Sequence, residues 1–145
     1  MTNYKHILLA VDFSDDFDQV ISKALKLQQQ NQSKLTLVHI VELPGATYTG
    51  EIPLPENFNL DQQMEDQAKE RLSNLANQHQ LSDHRELVEI GAPKRELVRI
   101  AEEQDVDLII VGSHGRHGLQ LLLGSTANGV LHLAPCDVLA VRVIS

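Results

Sequence analysis

The sequence is poor in the residues on which disulfide-linked, membrane-spanning and nucleic-acid-binding proteins depend. It has a single cysteine, Cys136, so no internal disulfide can form, which is typical of proteins in a reducing compartment. It has no tryptophan and only 3% aromatic residues, too few for platforms on which single-stranded nucleic acid stacks. No apolar run approaches the roughly 20 residues that cross a bilayer. We therefore expect a cytoplasmic protein with neither nucleic acid nor membrane as a partner.

Positive charge is also scarce. The chain has 12 lysines and arginines against 20 aspartates and glutamates, for a net charge of −8. A field of that sign repels nucleic acid and anionic membranes, so an anionic ligand must be held by local geometry. The 145 residues, of which 42% are hydrophobic, suffice for one domain with a substantial core. We expect a single domain over residues 1–145.

The spacing of apolar residues alternates between strand-like and helix-like segments. Short continuous apolar runs such as Ile7–Val11 are typical of strands buried on both faces, and segments with helical spacing separate them. Strands are predicted over 7–11, 34–41, 86–90, 107–112 and 136–144, and helices over 14–30, 60–78, 91–104 and 125–134, with Ser14 as the first N-cap. Strict alternation predicts an α/β fold, an open parallel sheet with helices on both faces.

The closing strand is predicted to lie at an edge of this sheet. Both of its faces are largely apolar, and only Arg142 interrupts them. An exposed strand edge invites pairing with a second copy, so we expect a homodimer through this strand. The substitution Val141→Glu is expected to give monomers.

Glycines are concentrated near the end of the chain. Four of the eight lie within thirteen residues: Gly112, Gly115, Gly118 and Gly124. Glycine leaves no Cβ in the way of a ligand, and successive backbone N–H groups can form an anion-binding concavity. The stretch ends with Ser125 and Thr126 at the start of a predicted helix, whose N-terminal N–H groups suit phosphate. Arg116 adds a local positive charge.

The same residues also allow a purely structural interpretation. Gly112 and Gly115 can make a turn, and Ser125 can cap the last helix. The stretch is not a P-loop, because it lacks the lysine of G-x-x-x-x-G-K-[ST]. Asp12, after the first strand, either begins a turn or faces a crevice that the two loops share at the carboxyl ends of their strands.

Two further groups of residues are interpreted as structural. His114 and His117, with Cys136 downstream, are not a recognised metal-ligand set. His39 is predicted to be a packed strand residue. Catalysis is weakly supported, because G-x-S-x-G is absent and no general base stands out. Whether the protein is an enzyme stays open, with slow ATP hydrolysis as the most that the sequence indicates.

Three segments resemble the universal stress protein family: HILLAVDFS at 6–14, GSHGRHGLQLLLGST at 112–126 and CDVLAVRV at 136–143. The resemblance covers essentially the whole chain. It implies an adenine nucleotide alpha hydrolase-like fold with five strands in the order 3-2-1-4-5, and a dimer through the last strand. Nucleotide-binding members carry G-x2-G-x9-G-[ST], whereas here eight residues separate Gly115 from Gly124.

The resemblance also assigns roles to individual residues. Ala10 and Val11 would line a base pocket, Asp12 would lie near the ribose or a nucleotide-bound Mg²⁺, and Ile40 would offer its backbone N–H and C=O to adenine. The ribose and phosphates would be held by Gly112, Gly115, Gly124, Ser125 and Thr126. Apart from the resemblance, the prolines and glycines of residues 42–59 lead us to expect a flap beside the base.

Two functions follow from this interpretation. The first is a regulatory module of the stress response that binds ATP, with Mg²⁺. The second is a homodimeric interaction protein that has the same fold and does not bind nucleotide. The glycines and the Ser-Thr pair favour the first, and the shortened spacing favours the second.

Overall fold

Strands and helices alternate strictly along the chain, as the apolar spacing predicts. The computed structural model describes residues 4–42, 60–81, 83–114 and 125–143, and within them it has five strands and four helices. In chain order they are β1 (His6–Ala10), α1 (Asp18–Asn31), β2 (Lys34–Val41), α2 (Leu60–Gln78), β3 (Arg85–Ile90), α3 (Pro93–Glu103), β4 (Leu108–His114), α4 (Ser125–Leu133) and β5 (Asp137–Val143). The predicted α/β class is confirmed.

All five strands join one parallel sheet in the order β3-β2-β1-β4-β5. This is the 3-2-1-4-5 order that the family resemblance implies. The chain builds outward from β1 to β3 and then returns to the other side of β1 with β4. The strand order therefore reverses between β1 and β4, where Ile7 lies opposite Leu108. Ligands of open α/β sheets bind at such a switch point.

Helices cover both faces of the sheet, as predicted. On one face α1 and α2 pack against the strands in a core that includes Leu9, Ile21 and Leu72. On the other face α3 and α4 form a second core that includes Leu8, Leu97 and Val130. Successive residues of β1 thus enter opposite cores, which explains why that strand is apolar throughout. None of the helices in the described ranges combines the length and the apolar character of a membrane span.

The start of α1 differs from its prediction. The residue before α1 is Phe17, which makes no capping hydrogen bond through its side chain, so the interpretation of Ser14 as the N-cap is wrong. Ser14 instead lies in a preceding turn, where its carbonyl accepts a hydrogen bond from the Phe17 N–H at 3.1 Å. β4 also runs to His114, beyond its predicted end at Gly112.

Candidate functional site

The carboxyl ends of β1, β2 and β4 lie side by side along the border of the sheet where its strands end, the carboxyl edge. Ala10 ends β1, Ile40 is the penultimate residue of β2, and Gly112 lies near the end of β4. Val11 follows β1 directly and is 4% exposed, while Ile40 is 8% exposed. The structure thus brings four of the residues assigned by resemblance to the edge where ligands of such sheets bind.

The pairing of β1 with β2 stops just before Ile40. Among the described residues, the last backbone hydrogen bond between these segments joins the Val11 N–H to the Val38 carbonyl at 2.7 Å. A regular parallel ladder would continue with the Ile40 N–H donating to the Val11 carbonyl. That carbonyl instead accepts a hydrogen bond from His39 Nδ1 at 2.6 Å. The backbone groups of Ile40 that face β1 are therefore outside this ladder.

Asp12 and Phe13 turn the chain away from the sheet. Asp12 is exposed, and its Oδ1 accepts a hydrogen bond from the Ser14 N–H at 3.0 Å, as in an Asx-turn. Phe13 has a φ of 58°, a left-handed conformation that is uncommon for an aromatic residue. Asp12 thus has the structural role that the sequence allowed. A carboxylate has lone pairs for more than one partner, so this role does not preclude a ligand contact.

Three side chains stack beside this turn. The rings of Phe13 and His39 have centroids 4.4 Å apart and are tilted by 42°. The Arg71 guanidinium of α2 lies 4.3 Å from the Phe13 centroid, within the range of a cation–π interaction. His39 is partly buried by its neighbours, in agreement with its prediction as a packed strand residue. The stack connects α2 to the end of β1.

A cavity of about 310 Å³ opens next to this stack. Its size is at the lower end of the range of small-molecule pockets. It combines apolar groups with polar side chains from β2 and α2, and its lining consists of Phe13, His39, Ile40, Val41, Glu42, Met64, Gln67, Ala68 and Arg71. The cavity and the Ile40 backbone therefore belong to the same edge of the sheet.

The glycine-rich stretch is described at its two ends. Gly112 lies within β4, opposite Val141, so the interpretation that it makes a turn is wrong. Ser125 and Thr126 are the first two residues of α4, as predicted. Gly115, Arg116, Gly118 and Gly124 lie outside the described residues, as do His117 and the predicted flap from 43 onward. Their predicted roles stay predictions.

Within the described ranges, no three histidine, cysteine, aspartate or glutamate side chains lie close enough together to hold a metal ion. Cys136 is partly buried against the α3–α4 core, and burial raises the pKa of its thiol. A thiol with a raised pKa is a weaker nucleophile at neutral pH, and its packing against this core agrees with a structural role.

β5 forms an edge of the sheet, as predicted. Its residues are only partly buried, apart from exposed Asp137 and Arg142 and buried Val143. Leu139 and Val141 pack against the α1–α2 core, and Val138 and Ala140 pack against the α3–α4 core. Apolar side chains thus lie on both faces of a strand that has a neighbour on one side only.

Sequence reasoning missed the stack of Phe13, His39 and Arg71. A histidine within the apolar run LVHIV, near the carboxyl end of a strand, is a signal that could have singled out His39. Arg71 gives no such signal, because its contact with Phe13 joins α2 to the first strand across a long stretch of chain. The left-handed conformation of Phe13 is equally invisible in the sequence.

Comparisons with known proteins agree with this architecture. The model of the universal stress protein family matches residues 3–142. Universal stress protein A homolog 1 of Coxiella burnetii is 42% identical over 139 residues, which are 96% of each chain. The solved structure of hypothetical protein MJ0577 superimposes with a TM-score of 0.79 and 27% identity, covering 99% of both chains.

Two other solved structures of this fold contain nucleotides. A universal stress protein in complex with cAMP has a TM-score of 0.62 and 24% identity, covering 97% of this chain and 98% of that one. A universal stress protein from Archaeoglobus fulgidus in complex with dAMP has a TM-score of 0.65 and 23% identity, covering 96% and 98%. At these identities the similarity establishes the fold.

Proposed function

The chain belongs to the universal stress protein family, and on that premise we propose that it is a regulatory module of the stress response that binds an adenine nucleotide. ATP is the proposed ligand, and Mg²⁺ would accompany it. The proposed compartment is the cytoplasm. A chain with one cysteine has no internal disulfide, as is usual for proteins of that reducing compartment. The nucleotide would bind at the carboxyl edge of β1, β2 and β4.

The observation that carries this proposal is the interrupted pairing beside Ile40. Its backbone N–H and C=O face the end of β1, but the ladder stops at Val11 and Val38. An N–H donor and a C=O acceptor on one residue match the ring-nitrogen acceptor and amino donor that adenine presents side by side. The cavity next to Ile40 would receive the rest of the base.

The start of α4 supports a phosphate site at the same edge. α4 begins at Ser125, directly after Gly124, and spans nine residues. The N–H groups of a first helical turn have no intrahelical acceptors and favour anions. The hydroxyls of Ser125 and Thr126 and the charge of Arg116 would add to this, against a net charge of −8. Asp12, whose Oδ1 binds the Ser14 N–H, would approach the ribose or the Mg²⁺.

The nucleotide complexes of related folds support the same choice of ligand. One universal stress protein binds cAMP and another binds dAMP, and both ligands contain adenine. The triphosphate is our proposal for this chain, because a glycine-rich segment precedes α4 and the helix opens with the Ser-Thr pair. The proposal includes binding and no catalytic step.

A second candidate function is an interaction protein that dimerises through β5. It is favoured by the apolar, half-buried residues of β5, which has a free edge in the sheet order. The eight-residue spacing between Gly115 and Gly124 also favours it. In this alternative the carboxyl edge would be a remnant of the family site, and the dimer surface would carry the function.

Titration calorimetry with Mg-ATP distinguishes the two functions. Wild-type protein and His132→Ala, an exposed residue in the last turn of α4, are expected to bind with similar affinity. Gly124→Val is expected to abolish binding, because a branched side chain would stand where phosphate approaches the backbone. No heat from the wild-type protein, or equal binding by Gly124→Val, would favour the interaction protein or a different site.

A further inference from the structure

We propose that His39 is a positioning residue that keeps the backbone of Ile40 available to the base, an inference that rests on the proposed function. His39 Nδ1 lies 2.6 Å from the Val11 carbonyl oxygen. Because a carbonyl oxygen only accepts hydrogen bonds, Nδ1 carries the proton and donates it. The imidazole thus donates to the same carbonyl that would accept from the Ile40 N–H if the β1–β2 ladder continued, and it takes up one of the two lone pairs of that oxygen.

On its other side, β2 stays paired with β3 up to its last residue. His39 lies opposite Val88 of β3, and Ile40 lies opposite Glu89. The Val41 carbonyl accepts a hydrogen bond from the Gly91 N–H at 3.0 Å. β2 is therefore anchored through β3 while its β1 side ends early. The Ile40 groups that face β1 are held in strand geometry, as a pre-organised contact for a planar base requires.

The stack on His39 fixes the imidazole in this position. Phe13 packs against one side of the ring, and the Arg71 guanidinium lies over Phe13. Phe13 has a left-handed φ of 58°, and its N–H makes no backbone hydrogen bond to the Ile40 carbonyl. The two backbone groups of Ile40 thus stay outside the ladder for two separate reasons.

Removal of the imidazole donor is expected to close the ladder. Val11 is 4% exposed, so its carbonyl would otherwise lose its partner in a site with little water. The Ile40 N–H is the backbone donor that a parallel ladder aims at this carbonyl. With His39→Phe, whose ring can keep the contact with Phe13 but cannot donate, the Ile40 N–H is expected to pair with Val11.

Amide hydrogen exchange measured by NMR tests this without nucleotide. In His39→Phe the Ile40 amide is expected to exchange at least tenfold more slowly than in the wild-type protein. His39→Asn, whose amide N–H can take the place of Nδ1–H, is expected to restore the wild-type rate. His132→Phe, which replaces an exposed histidine of α4, is the matched control and is expected to change nothing at Ile40.

The same variants are then titrated with Mg-ATP. His39→Phe is expected to bind about tenfold more weakly, because the base must first break the new Ile40–Val11 bond, and His39→Asn is expected to bind nearly as the wild type does. If His39→Phe does not fold, His39→Gln, whose amide extends to the Nε2 position, replaces it. An unchanged Ile40 exchange rate in the variant without a donor would overturn the role of His39. Failure of the wild-type protein to bind any nucleotide would instead overturn the proposed function and leave the exchange result standing.

Discussion

At the scale of single residues, side-chain hydrogen bonds satisfy backbone and polar groups at several of the described turns and strands. His39 completes the end of β1, and Asp12 holds the turn that follows. At the opposite end of the strands, where β1 begins, His6 Nδ1 lies 3.2 Å from the Gln104 carbonyl oxygen. Its Nε2 lies 2.8 Å from the Thr36 hydroxyl oxygen. A buried polar group without such a partner is costly, which is why these contacts recur where strands end.

Glu86 shows how hydrogen bonds shift the pKa of a carboxyl group. Its Oε1 accepts a hydrogen bond from the Ser73 hydroxyl and its Oε2 one from His84 Nε2, each at 2.6 Å. Burial alone would raise the pKa of Glu86, but these two hydrogen bonds and the nearby His84 hold it below the usual value of 4.5. A carboxylate with a lowered pKa in the folded state stabilises the fold above its unfolded pKa, and this contribution disappears as the pH falls through the folded value.

Ser73→Ala is therefore expected to destabilise the protein in a pH-dependent way. At pH 7 the free energy of unfolding should fall by about 1 kcal/mol, the typical net value of one hydrogen bond. Below the folded pKa of Glu86 the difference from wild type should shrink, since the protonated carboxyl accepts the bond more weakly. Urea unfolding at a series of pH values from 7 downward measures both, with Asn74→Ala on the same helix as control. A difference that is constant with pH would contradict the assignment.

At the scale of elements, α3 and α4 approach each other closely at Gly129. A Cβ added there would lie 2.7 Å from Lys94 Cδ and 3.2 Å from Lys94 Cβ. The stem of Lys94 thus fills the space that a larger residue would need. A glycine within α4 otherwise costs about 1 kcal/mol relative to alanine, so this packing explains why a helix-weakening residue is compatible with the fold.

The contact predicts that substitutions at Gly129 and Lys94 are coupled. In the wild-type background Gly129→Ala should bring no gain in stability, because the clash with Lys94 offsets the better helix propensity. In a Lys94→Ala background, which removes the contact with Cδ but keeps the 3.2 Å contact with Cβ, the same change should stabilise by part of the about 1 kcal/mol difference in helix propensity. Urea unfolding of the two single variants, the double variant and the wild type measures the coupling. Additive effects would show that the two helices do not meet as described.

The elements were predictable from sequence to different degrees. A continuous apolar run predicted β2, and apolar residues at helical spacing predicted α2. Both patterns are clear because they follow which residues of each element are buried. The start of α1 was not predictable, since Asp12, Ser14 and the acids that follow all favour both turns and helix starts. For the candidate site, the family motif pointed to Asp12 and Ile40, but the early end of the β1–β2 ladder depends on one imidazole and one left-handed residue. Neither the imidazole nor the left-handed residue produces a periodic pattern in the sequence.

At the scale of the whole molecule, β5 is the last strand on its side of the described sheet, and we expect a second copy to pair there. The sheet ends with β5, and its partly buried apolar residues lie on both faces. A second copy that pairs along this edge would cover them and continue the ladder.

Val141→Glu is expected to convert a homodimer into monomers, because a carboxylate at the paired edge would lose its water. Sedimentation velocity measures the change, and circular dichroism checks that the variant is folded. Leu133→Glu is the matched control, since Leu133 is a large apolar residue on α4 that is 55% exposed. It should leave the sedimentation coefficient unchanged. A Val141→Glu dimer of wild-type size would place the contact elsewhere.

Nucleotide binding at the carboxyl edge is tested most directly by the thermal unfolding midpoint. The protein is melted with and without millimolar Mg-ATP, and with Mg-GTP as the control. A ligand at 100 times its dissociation constant adds about 2.7 kcal/mol to the free energy of unfolding, enough to move the midpoint by several degrees. The predicted result is a higher midpoint with ATP and little change with GTP. Equal midpoints under all three conditions would contradict the proposed function and direct the search to the surface around β5.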